Sequence, residues 1–175
     1  MVDALLSMML GIVLLVGMVT LTGNSLRSED TLARSWLDLE QSTRERDQTR
    51  ISNMEESSCD GSNVYIVLVN DGSVAAVDFD DWDVIVQYYS AGSSYQVKWL
   101  SYDGSPPQAD NTWAVEGIYR DASGSLAEIY EEGIFNVGEE LKLQIKVSPA
   151  VDNGSRGVVT VSTPNGVGAW VQFSR

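Results

Sequence analysis

Between Ala4 and Leu26 the sequence carries no charged side chain, and this stretch rules out an ordinary water-soluble start to the chain. Leu5, Leu6, Met8, Met9, Leu10, Ile12, Val13, Leu14, Leu15, Val16, Met18, Val19 and Leu21 fall on every side of a helical wheel. A helix that is apolar all round belongs in lipid or inside an assembly. About 20 such residues at 1.5 Å each span roughly the 30 Å of bilayer hydrocarbon. A secretory signal peptide fits less well, because no basic residues precede the run and no small-x-small cleavage site follows it. A start at the apolar run is what remains when a peptidase removes a charged leader and spares the helix. Ala4, Ser7 and Gly11 are spaced i, i+3, i+7 and form a stripe of small side chains that lets a neighbouring backbone approach. Asp3 is expected to pair with the α-amino group of a neighbouring copy or with the positive end of a helix dipole. The expected subunit interface is therefore Asp3, Ala4, Leu5, Ser7, Met8, Gly11, Leu14, Leu15 and Met18.

From Arg27 to about Met54 the chain turns polar but contains neither Gly nor Pro, and Leu26, Ala33, Trp36, Leu37 and Ile51 supply a partial apolar stripe. The helix is expected to continue, with Glu40 and Arg44 as an i,i+4 pair on its solvated side. Residues 1–56 then form one long helix, its apolar part at 1–26 and a polar projecting part at 27–56.

The run Glu55-Glu56-Ser57-Ser58-Cys59-Asp60-Gly61-Ser62 breaks helical spacing with turn formers, and the pattern beyond it is one of short β-rich runs. Val64 to Val69, an Asn70-Asp71-Gly72 turn, Val74 to Phe79, Trp82 to Tyr89, Tyr95 to Tyr102 and Thr112 to Tyr119 read as strands and a turn. Leu141-Lys142-Leu143-Gln144-Ile145-Lys146-Val147 alternates strictly, and Pro164-Asn165-Gly166 joins Gly157 to Thr163 with Val167 to Phe173 as a hairpin. Residues 57–175 are expected to form an Ig-like antiparallel β-sandwich, so that the chain as a whole is of the α+β class.

These pieces carry a resemblance. An apolar N-terminal helix (Met1 to Leu26), an Asn-Asp-Gly turn (Asn70 to Ser73), an Asp-rich stretch (Asp78 to Val86), Gly-Glu-Glu before an alternating strand (Val137 to Val147) and a closing hairpin (Thr160 to Phe173) resemble the archaellin and type IV pilin-like superfamily. They are similar also to the Ig-like stator proteins of the archaellum. The resemblance implies a structural subunit of an extracellular filament for swimming or adhesion, polymerising with itself through its helix and stored in the membrane beforehand. The alternative is a membrane-anchored Ig-like stator or surface-binding protein, with contact to the cell surface or S-layer. The chain departs from the pilin pattern at the fifth position, where many pilins carry glutamate and this chain carries Leu5.

The residue types available for chemistry agree with that reading. With 25 acidic against 11 basic residues the net charge is -14, which repels a phosphate backbone and disfavours nucleic acid as a partner. The sequence has no histidine, so Ser-His and Cys-His arrangements are absent, and its single cysteine, Cys59, excludes an intramolecular disulfide. Asp78, Asp80, Asp81 and Asp83 are the densest set of oxygen ligands, but they lack the glycine and terminal glutamate of an EF-hand and read as a solvated turn. Trp99, Trp113 and Trp170 are the aromatic candidates for stacking on a sugar. Asn153-Gly154-Ser155 is a glycosylation sequon. No cofactor and no enzymatic activity is expected.

Overall fold

A computed structural model describes residues 2–104, 106–107, 109–128, 131 and 133–175; within the first helix and strand, side chains are described at 8–10, 12–15, 31–54 and from 57 onward. The chain divides into two compact units, Met1–Arg44 and Glu45–Arg175. Helix α1 runs Val2–Gln48. It is followed by β1 (Ile51–Cys59), β2 (Asn63–Asn70), β3 (Asp83–Ser90), β4 (Ser94–Tyr102), β5 (Thr112–Asp121), β6 (Leu126–Ala127), β7 (Glu140–Lys146), β8 (Arg156–Ser162) and β9 (Gly168–Ser174).

Strict alternation explains the central strands. Leu141, Leu143 and Ile145 of β7 are fully buried, whereas Glu140, Lys142, Gln144 and Lys146 point outward. Their register sets Leu141, Leu143 and Ile145 opposite Leu68, Ile66 and Val64 of β2. On the facing side Val84, Val86 and Tyr88 of β3, Val159 and Val161 of β8, and Val171 and Phe173 of β9 close the same core around Trp113 and Leu100. Each such aliphatic side chain contributes about 1.5–3 kcal/mol by leaving water.

Four expectations are corrected here. The α+β class does not stand, because among the described residues every residue of the buried core comes from Ile51 onward and the compact unit Glu45–Arg175 is mostly strands. The antiparallel sandwich does not stand either. The strands form one continuous path, β1-β2-β7-β5-β4-β3-β8-β9, with β6 paired to β5. A short parallel step between β4 and β5, Ser101 opposite Thr112 and Tyr102 opposite Trp113, joins the two halves. At the other end β1 lies against β9, where Ser57 Oγ donates to the Gln172 carbonyl at 2.8 Å, so the sheet curls almost closed on itself. A curled sheet of this kind buries one face and protects its edges.

The helical limit at residue 56 is also corrected. α1 ends at Gln48, and Ile51, placed in the sequence on a helical stripe, is instead a buried residue of β1. Finally, Val74 to Phe79 is not a strand. The buried Asn70 donates Nδ2–H to the carbonyls of Val74 and Phe135, both at 2.9 Å. Ala76 and Phe135 form an isolated bridge, and a 3-10 turn at Phe79–Asp81 follows. A polar side chain here holds what the sequence pattern assigned to a ladder.

The loop that begins at Asn70 receives the end of the helix. Ser73 N–H donates to the Gln48 carbonyl at 2.8 Å, Asp71 N–H to the Arg50 carbonyl at 3.1 Å, and Arg50 Nε lies 3.1 Å from Asp71 Oδ2. The first of these bonds satisfies one of the carbonyls that a helix leaves open at its C-terminus.

Candidate functional site

Of the expected helical interface, Asp3, Ala4, Leu5, Ser7, Gly11 and Met18 have side chains outside the described residues. Met8, Leu14 and Leu15 are described, and each is about two-thirds exposed, at 66%, 64% and 66%. Met9, Leu10, Ile12 and Val13 are exposed alongside them. Further along, Leu32, Trp36 and Leu39 are exposed at i, i+4, i+7, a one-sided stripe in which the sequence reading named Trp36 and overlooked the other two. Among the described residues no helix is long and apolar enough to cross a membrane. The span proposed at Ala4 to Leu26 falls largely on side chains outside that description.

The acidic candidates do not come together. Asp78 takes the left-handed conformation (φ 52°) before the 3-10 turn, and Asp80 and Asp81 are exposed within it. Asp83 starts β3 and accepts a hydrogen bond from Trp99 Nε1 at 2.8 Å. Among the described residues no three acidic, cysteine or histidine side chains converge as a metal site would require. Cys59 is half-buried in β1, and burial pushes its thiol pKa up, which leaves it a poor nucleophile. Asn153 sits exposed in a turn closed by Ser155 N–H donating to the Asp152 carbonyl at 3.2 Å.

The aromatic candidates separate. Trp113 is fully buried against Tyr102, their ring centres 4.8 Å apart, and is no platform for a ligand. Trp99 and Trp170 are exposed, at 64% and 60%. The register brings them into one row across four strands: Trp99, Ile85, Thr160, Trp170. The next row is Val97, Gln87, Val158, Gln172. Beyond it Tyr95 lies opposite Tyr89, the rings 5.2 Å apart, and Tyr95 Oη donates to Gln87 Oε1 at 2.9 Å. In β4 the apolar side chains Tyr95, Val97 and Trp99 thus face solvent, while the alternate position Leu100 enters the core. Alternation reveals the strand but not which of its faces is covered.

The outer face of the other half is of a different kind. Lys142 Nζ donates to Glu116 Oε1 at 2.9 Å and lies over the Tyr65 ring, and Lys146 lies 3.8 Å from Asp110. The Glu116 carboxylate pushes the Lys142 pKa up. That surface is charged and internally paired, whereas the two central rows of the β9-β8-β3-β4 face hold no charge.

No protein-family model matches the chain, and no curated protein matches it. Solved structures do. The archaellum periplasmic stator protein FlaG from Sulfolobus acidocaldarius superposes with a TM-score of 0.51 at 16% identity, over 71% of this chain and 99% of its own. The FlaF and FlaG stator complex of the same organism gives 0.51 at 16% identity, over 71% of this chain and 89% of that one. The archaeal flagellum of Methanospirillum hungatei strain JF1 gives 0.59 at 11% identity, over 97% of this chain and 92% of its own. The chain thus shares the fold of these stator and filament proteins.

Proposed function

We propose that the chain is a structural subunit of an archaellum-like extracellular filament, polymerising through its apolar N-terminal helix. Its membrane-inserted precursor stores that helix in lipid, and the assembled filament serves motility or adhesion at the cell surface. The observation that carries this reading is the group of described apolar side chains from Met8 to Leu15, all exposed to water in the single chain. Exposed apolar surface of that extent marks an interface or a lipid contact. Likeness to the Methanospirillum filament over 97% of the chain supports a filament role, since the likeness to FlaG covers 71%. The second reading, a membrane-anchored stator of the same machinery, draws on that FlaG likeness of the globular part.

Electron microscopy of sheared surface filaments, with mass spectrometry of their subunit, separates the two. Recovery of this chain as the major filament mass supports the polymer, and its retention in the membrane fraction at low copy number supports the stator. Gly11→Leu should block or weaken assembly while leaving the β-domain folded, because a bulky side chain forces helices apart. Asp3→Asn should weaken assembly if its carboxylate pairs with a neighbouring copy, and unchanged filaments would reduce Asp3 to a tolerated charge.

A further inference from the structure

We propose that the outer face of β9-β8-β3-β4, whose two central rows carry no charge, is the surface through which the globular domain contacts a second copy of this chain, and that this contact forms only when the helices already hold the domains together. The proposal rests on the filament reading above.

Charge is the first argument. The chain carries a net charge of -14, so two copies repel wherever carboxylates face one another. The rows centred on Ile85, Thr160, Gln87 and Val158 present no charged side chain. At their rim the Asp83 carboxylate is already engaged by Trp99 Nε1. Two such acidic domains approach here without opposing charges, and like-charge juxtaposition is what excludes the alternatives. A basic partner would be drawn instead to the acidic remainder of the surface.

Composition is the second. Trp, Tyr and Arg supply the anchors of protein interfaces, and this face offers Trp99, Trp170, Tyr95 and Tyr89, with Arg156 beside Ser174 at its margin. The anchors are held before any partner arrives: Trp99 by Asp83, and Tyr95 by Gln87 and by the Tyr89 ring. Little rotamer freedom remains to be lost on contact.

Area fixes the order of events. Four strands about 4.8 Å apart, each with three outward residues, present roughly 400 Å². A stable complex buries about 800 Å² per partner, so this face alone is about half of what isolated domains need. Tethering neighbours through packed helices raises their local concentration to about millimolar, where such a contact closes.

The test uses the full chain carrying Cys59→Ser. Val97→Cys is introduced at the centre of the face, and Ser123→Cys in the exposed turn between β5 and β6 serves as the reference. Maleimide labelling is timed on detergent-dispersed monomer and on assembled filaments. Assembly should slow labelling of the Val97→Cys chain about 10-fold or more, as an interface that excludes water does, and should leave the Ser123→Cys chain within about 2-fold. Filaments in which both thiols react equally fast would overturn this proposal and leave the helix-driven polymer standing. Failure of the parent chain to form filaments at all would remove both. Protection of the Val97→Cys chain in the monomer by a neutral polysaccharide, without protection on assembly, would make the face a sugar platform and overturn the self-contact. A second variant, Trp170→Glu, should weaken filaments without lowering the melting temperature of the domain, because that ring is already largely in water.

Discussion

Asn165 donates its Nδ2–H to Thr49 Oγ1 at 2.6 Å, so the tip of the β8-β9 hairpin holds the residue at which helix α1 gives way to β1. Thr49 in turn donates from Oγ1 to the Glu45 carbonyl at 2.8 Å. The last helical turn is therefore bound on one side by the hairpin and on another by the Asn70–Ser73 loop.

Gly72 is the tightest point of that loop. A β-carbon there would lie 2.6 Å from both the Gln48 carbonyl oxygen and the Arg50 nitrogen, and backbone on that scale cannot swing aside. Gly72→Ala should destabilise the domain by about 1–3 kcal/mol, as other overpacking substitutions do. A thermal melt should show a midpoint several degrees lower; an unchanged midpoint would mean that the helix end is not seated on this loop in solution.

The position of β1 changes where an independent domain must begin. A fragment starting near Ser57, which the sequence pattern favours, discards Ile51 and most of a strand that pairs with β2 and lies against β9. We expect residues 45–175 to give a monomer with a cooperative melt. Residues 57–175 should be less stable by on the order of 2–4 kcal/mol, the cost of losing a buried aliphatic residue and its ladder, and should aggregate through the uncovered β2 edge. Equal stability of the two fragments by urea denaturation would show that β1 adds nothing to the fold.

Tyr88 is fully buried and donates its hydroxyl to the Pro149 carbonyl at 2.6 Å. Burial pushes its pKa up, so it stays a neutral donor over the physiological range. Tyr88→Phe keeps the ring in place but leaves that carbonyl without its donor, and should cost about 1–2 kcal/mol at unchanged m-value.

Acid should loosen the turn between β5 and β6 first. Gly124 N–H, and then the Ser123 hydroxyl, hydrogen-bond the Asp121 carboxylate and hold its pKa below the ordinary value. A depressed folded pKa means that the carboxylate stabilises the turn above its unfolded pKa and loses that effect as pH falls through the folded one. The window lies below about pH 4. The Gly124 amide resonance should report a titration midpoint lower than that of an unfolded Asp, and Asp121→Asn should abolish the transition.

How much of this was legible depends on how many sides of each strand are covered. β7 could be read outright, because its inner face is wholly apolar and its outer face wholly polar, and the β8-β9 hairpin announced itself through Pro164-Asn165-Gly166. β1 could not. It pairs through a backbone ladder on one side only, and Ser52, Asn53, Ser57 and Ser58 need no apolar alternation to sit there. The segment from Val74 to Phe79 misled for the opposite reason: its apolar residues resemble a strand, but its backbone is held by the Asn70 side chain and a single bridge to Phe135. β4 showed its period and concealed its orientation, since Tyr95, Val97 and Trp99 are apolar on the side that no part of the chain covers. The helical candidates Met8, Leu14 and Leu15 were legible as apolar, and their exposure in a single chain could not be read from the sequence.

Only Thr49 and Arg50 separate α1 from β1, at most about 7 Å of extended chain. Both residues are fastened, Thr49 to the hairpin tip and Arg50 to Asp71. The last helical turn, Glu45 to Gln48, and β1 therefore meet without slack inside one compact unit. Whatever strains that last turn passes into the β1–β2 ladder and the β8-β9 hairpin tip, with no linker between them to take it up.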